Sequence, residues 1–140
     1  MDNKIKALAD FLGESVENLR NNGDNYIQVV DGFEYLMLTE EEANEKAQEY
    51  IEESLWAFDA GFILDTCGLD SGSNITRSLR KMQEDSCEGC NDFIRALVDG
   101  TCGIEEFTKQ AILADGRGHF LSSYDDEEGE QDGYFIYCIG

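Results

Sequence analysis

Tyr26-Ile27-Gln28-Val29-Val30-Asp31-Gly32-Phe33-Glu34-Tyr35-Leu36-Met37-Leu38-Thr39-Glu40-Glu41-Glu42 is the stretch that decides the fold. Two strand-like runs, 26–30 and 33–38, flank Asp31-Gly32. That dipeptide suits a tight primed turn, because both residues tolerate positive φ, so the run predicts a β-hairpin. Thr39-Glu40-Glu41-Glu42 then fits a capping box, with the Thr39 hydroxyl accepting from a free amide and Glu42 reaching back. Three glutamates also suit the positive end of a helix dipole. Ala43, Ala47, Tyr50, Ile51, Leu55 and Phe58 recur mostly at spacings of three and four, which carries the helix to about Phe58.

Upstream, Ile5, Leu8, Ala9, Phe11 and Leu12 share one face of a short helix over 3–12, and Gly13 can stop it. Residues 14–20 predict another turn with Val16 and Leu19 inward, and Asn21 to Asn25 a loop. Downstream, Phe62-Ile63-Leu64 reads as buried and Gly68 to Ser73 as a loop. Helices are predicted over 74–84, from an Asp85 or Ser86 cap to Val98, and over 104–113. Gly116-Arg117-Gly118 reads as a turn, His119-Phe120-Leu121 as a brief strand, Asp125 to Gly133 as an acidic loop and 134–139 as a strand. The expected fold is α+β: about six helices on a small antiparallel sheet made of the hairpin 26–38 and the C-terminal strand 134–139. Residues 1–140 form one acidic domain.

Hydrophobic residues make up 41% and aromatics 11% of the 140 residues, enough to build a core and to exclude wholesale disorder. No apolar run has membrane-spanning length, and no basic-then-apolar leader opens the chain. Five cysteines without such a leader place the chain in a reducing cytoplasm.

Charge is the dominant feature: 31 acids against 10 bases, a net −21. That balance opposes direct binding to nucleic acid, itself a polyanion, and to anionic membranes. The favoured partners are cationic. Residues 24–59 hold eleven acids against Lys46 alone, and residues 115–140 hold seven against Arg117 alone. Glu41, Glu45, Glu49, Glu52 and Glu53 fall at helical neighbour spacings and predict a stripe of carboxylates away from the apolar stripe. An ordinary solvated face usually mixes Lys with Glu; here Lys46 is the only base between residues 21 and 76. A row of carboxylates with a neighbouring acidic loop can imitate a phosphate backbone.

Other constellations carry less. Cys87-Glu88-Gly89-Cys90, with Cys102 and His119, has the donors for a tetrahedral zinc site, but the later spacings are not diagnostic and a helical Cys is an ordinary small buried residue. The acidic run from Asp125 lacks the Gly and Glu that an EF-hand loop requires. His119, the one histidine, has no flanking nucleophile signature. No acid pair shows signs of the burial that general acid–base work needs, so neither catalysis nor a cofactor is expected.

Two segments carry a resemblance. Residues 31–43 (Asp31-Gly32-Phe33-Glu34-Tyr35-Leu36-Met37-Leu38-Thr39-Glu40-Glu41-Glu42-Ala43) and 115–125 (Asp115-Gly116-Arg117-Gly118-His119-Phe120-Leu121-Ser122-Ser123-Tyr124-Asp125) resemble stretches of small acidic proteins of tailed phages and mobile elements. The resemblance implies a phage origin, action in the cytoplasm of a bacterial host, and kinship with anti-CRISPR and antirestriction proteins. The expectation is therefore a non-enzymatic DNA mimic that inhibits a basic nucleic-acid-binding defence protein, a nuclease or CRISPR effector. Its expected contact residues are Glu40, Glu41, Glu45, Glu49, Glu52 and Glu53, with Asp125, Asp126, Glu127 and Glu128. Two alternatives stand beside it: an accessory phage protein held by a Cys/His zinc site and acidic for solubility, and an inhibitor whose contact is an exposed aromatic patch, with charge only steering encounter.

Overall fold

The computed structural model describes residues 2–70 and 72–140; Ser71, within the expected loop 68–73, lies outside the described residues. The chain divides into two compact units, one formed by the residues up to Ala47 together with Asp115–Gly140, the other by Gln48–Ala114.

The first unit holds the sheet. Helix α1 (Asp2–Leu12) is followed by a 3₁₀ turn (Val16–Asn18) and strand β1 (Leu19–Asn21). The hairpin is β2 (Tyr26–Val29) and β3 (Glu34–Leu38), and β4 (Gly129–Gln131) and β5 (Tyr134–Cys138) close the chain. All neighbours are antiparallel, in the order β1-β2-β3-β5-β4. The fold is thus α+β, as the sequence predicts, with two edge strands that it did not. The second unit is helical.

Register explains the layering. Met37 pairs with Ile136 and Tyr35 with Cys138, so these side chains share one face with Ile27 and Val29. Ala7, Leu8 and Ala9 of α1 pack into the same cluster. Leu36 pairs with Tyr137 and Leu38 with Phe135 on the opposite face. There Lys46 lies 5.8 Å over the Tyr26 ring, and Arg117 lies 4.4 Å over Phe135. Both faces of β3 are therefore covered, which accounts for its nearly unbroken apolar run.

The hairpin differs from the expected two-residue turn. The Val29 amide donates to the Phe33 carbonyl at 3.0 Å, leaving a three-residue loop in which Asp31 takes the positive φ (58°). The capping box forms as read: the Thr39 amide donates to Glu42 Oε1 at 2.9 Å, and the Glu42 amide to Thr39 Oγ1 at 3.2 Å. Helix α2 runs Glu40–Glu53, short of Phe58, because the Ser54 hydroxyl takes the Tyr50 carbonyl and the chain tightens into a 3₁₀ turn at Leu55–Ala57.

The remaining helices of the second unit are α3 (Ala60–Thr66), α4 (Ser73–Ser86), α5 (Asn91–Asp99) and α6 (Ile104–Asp115). Neither Asp85 nor Ser86 caps α5. Helix α4 continues through Ser86, Cys87 breaks it at φ 47°, and Cys87–Cys90 forms a 3₁₀ turn. Phe58, Phe62 and Phe107 meet with ring centroids 5.2–5.8 Å apart. Asn91 ties this unit together, donating to the Glu52 carbonyl (2.8 Å) and accepting from the Trp56 amide (3.0 Å). The segment 119–121, expected as a brief strand, and Arg117-Gly118, expected in a turn, instead form the one-turn helix α7 (Arg117–Leu121).

Candidate acidic interaction surface

Helix α2 sorts its residues by angle. Ala43, Ala47 and Ile51 are fully buried on one side. At ~100° per residue, Glu41, Glu45, Glu49, Glu52 and Glu53 fall within an arc of about 120° on the other side. Glu41 to Glu53 spans about 18 Å at ~1.5 Å per residue. Five carboxylates over that length give one charge per ~4.5 Å of axis, close to the ~3.4 Å of a single B-DNA strand. Glu40 does not join the arc; at the helix start it lies on the side of Ala47 and Ile51, where its charge helps stabilise that of Arg117.

The carboxylates differ in how far they are already used. Glu41, Glu45, Glu49 and Glu53 are exposed, and none has a cation within 4.0 Å among the described residues. Glu52 faces Arg95 at 3.5 Å and accepts from the Gln48 amide at 3.2 Å. Arg95 also binds Asp99 at 3.0 Å; that hydrogen bond chiefly, with the Glu52 charge, raises its pKa against a smaller effect of burial. Glu42, half-buried although its angle falls inside the same arc, takes Lys4 Nζ at 2.8 Å. The Lys4 hydrogen bond, then the Thr39 amide, hold its carboxyl below the usual range.

The second acidic block is built on Arg117. Its guanidinium grips both Glu128 oxygens, at 2.9 and 3.1 Å, and donates to Asn44 Oδ1 of α2 at 2.9 Å. The buried Tyr137 hydroxyl donates to the same Glu128 carboxylate. Burial opposes the charge of Arg117, but Glu128 and the neighbouring negative groups outweigh it and raise its pKa. Burial first, and the Glu128 contact second, push the Tyr137 phenol far upward. Glu128 is consequently a structural anchor, and its side chain is only 29% exposed. The bridge to Asn44 brings the loop beside the part of α2 that carries Glu41 and Glu45.

Backbone contact fixes the rest of the loop. A Cβ on Gly118 would lie 2.5 Å from the Asp126 carbonyl oxygen, so the loop rests directly on bare helix backbone. The Asp125 carboxylate accepts the Glu127 amide (3.1 Å), and the Ser122 hydroxyl lies between it (2.8 Å) and the Cys138 carbonyl (2.7 Å). Asp126 stands 3.7 Å from His119. The Glu127 carboxylate has no partner among the described residues.

Cys67, Cys90 and Cys138 are buried and Cys102 partly so. Cys90 is buried and donates to the Cys87 carbonyl at 3.1 Å; Cys87 is exposed. The sequence did not point to Cys67, a buried thiol next to Thr101 and Cys102 whose pKa burial raises. No group of three or more His, Cys, Asp or Glu among the described residues could hold a metal ion. No helix among them is long and apolar enough to cross a membrane. No family model, curated protein or solved structure matches the chain.

Proposed function

We propose that this protein is a phage-encoded, non-enzymatic inhibitor that imitates a nucleic-acid strand and occupies the basic groove of a host defence protein, a nuclease or CRISPR effector. The observation that carries the reading is the unneutralised row Glu41, Glu45, Glu49 and Glu53, set opposite the buried face of α2 at one charge per ~6 Å of axis, somewhat over half the density of a single DNA strand. Like charges at these spacings weaken a helix by a few tenths of a kcal/mol per pair. A row that costs stability and meets no cation among the described residues is best accounted for by a cation elsewhere. In the second acidic block Asp126 and Glu127 add exposed carboxylates, with Asp125 partly engaged; Glu40, Glu52 and Glu128 act mainly as internal partners.

The test is capture of host proteins by the immobilised full chain at low and high salt, with elution by duplex DNA or guide RNA. A nucleic-acid-binding protein, released by competing nucleic acid and by salt, is the expected result. Captured proteins that duplex DNA and guide RNA both fail to displace would overturn the reading.

A further inference from the structure

A recess of about 330 Å³ opens in the first unit where α1, the hairpin loop and the acidic loop meet the sheet. Its floor is Tyr35, Ile136 and Cys138. Phe33 and Tyr124 form one wall, with ring centroids 4.7 Å apart and planes at 42°, although their exposures are 43% and 58%. Phe11 forms the other wall. It lies so close over Gly129 that a Cβ there would come within 2.6 Å of the ring. Asp125, Glu127 and Glu128 stand at the rim, and no lysine or arginine among the described residues lines the recess.

This combination selects for a flat organic cation. Exposed aromatic faces attract a cation through the ring quadrupole, and a guanidinium stacks on them more readily than an ammonium because it is planar and weakly hydrated. Glu128 is already satisfied by Arg117 and Tyr137. Glu127 and the second oxygen of Asp125 remain to accept guanidinium hydrogen bonds. An anionic ligand would be repelled by the three carboxylates at the rim, and a purely apolar one would strip water from them without compensation.

We infer that this recess binds the guanidinium of an arginine side chain, stacked against Phe33, Tyr124 and Phe11 and hydrogen-bonded by Glu127 and Asp125. It rests on the mimic reading only for the source of that arginine, the basic groove of the partner.

The experiment titrates the full-length protein with a capped Gly-Arg-Gly peptide and follows the aromatic proton–carbon NMR signals of Phe33, Tyr35 and Tyr124. The same peptide with citrulline, a neutral isostere, and with lysine in place of arginine are the comparisons. Saturable shifts with arginine, weaker ones with lysine and none with citrulline are expected. Tyr124→Leu and Glu127→Gln, both exposed, should each weaken arginine binding about threefold to fivefold, with circular dichroism unchanged. Equal response to citrulline, no saturable response to arginine, or undiminished binding by both variants overturns the proposal. A failure of this kind, with nucleic-acid-competed capture of the partner intact, would leave the mimic reading standing. Arginine binding without such capture would remove the mimic reading and keep the recess.

Discussion

Glu45→Lys separates a functional charge row from an ordinary solvated face. Glu45 has Glu41 one turn before it and Glu49 one turn after it, and no cation within 4.0 Å among the described residues. Reversal removes two like-charge i,i+4 pairs, each unfavourable by about 0.2–0.5 kcal/mol, and creates two opposite-charge pairs of similar size. The pair with Glu41 has the better orientation, acid before base. The gain is about 1 kcal/mol at low salt, which raises Tm by about 3 °C in a domain of this size. Thermal unfolding by circular dichroism at low ionic strength measures it, and most of the gain should vanish at ~1 M salt, where the screening length is about 3 Å. Partner capture should weaken in the same variant. A fall in Tm, or higher Tm with unchanged capture by Glu45→Lys and Glu49→Lys together, would refute the reasoning. Glu52→Lys is unsuitable for this purpose, since it would set a lysine against Arg95.

Three further outcomes follow from the contacts. Glu42→Gln should cost about 1 kcal/mol at neutral pH, already discounted for its 38% exposure; because its folded pKa lies below the ordinary 4.5, that contribution is present above this value and lost as pH falls through the lowered one, so urea-unfolding curves of the two proteins should converge in acid. Arg117→Met keeps an apolar stem near Phe135 but strands Glu128 beside Tyr137, and should cost about 2–3 kcal/mol, at or below the low end for a broken buried pair because Glu128 keeps some water; a loss under about 0.5 kcal/mol by urea unfolding would remove the anchoring role. Gly118→Ala should cost about 2–3 kcal/mol, since the new methyl meets loop backbone that no rotamer change can clear, and Tm unchanged from the parent would contradict that packing.

The hairpin and the α2 capping box were legible because each is a local signal complete within a few residues. Strands β1 and β4 were not: Leu19-Arg20-Asn21 and Gly129-Glu130-Gln131 have three residues each and no alternation, and they become strands only through pairing with β2 and β5. His119-Phe120-Leu121 reads as a brief strand after a Gly116-Arg117-Gly118 turn, but the structure winds residues 117–121 into the single turn of α7, with Gly118 against the acidic loop. Spacing alone identified the α2 stripe, since a common face follows from 3.6 residues per turn. It could not show that Arg95 and Arg117 draw Glu52 and Glu128 inward, because those partners lie 43 and 11 residues away in the sequence. The aromatic recess is further out of reach, for its walls come from residues 11, 33 and 124, which share no periodicity.

The contact between Gly118 and the backbone of Asp126 and Glu127 has a thermodynamic consequence. A free acidic loop would lose chain entropy on docking, at about 1–2 kcal/mol for each residue that becomes fixed. Here that loss is incurred during folding, so on the proposed reading the backbone of this ledge would reach a cationic partner already ordered, and association would be tighter without any added contact.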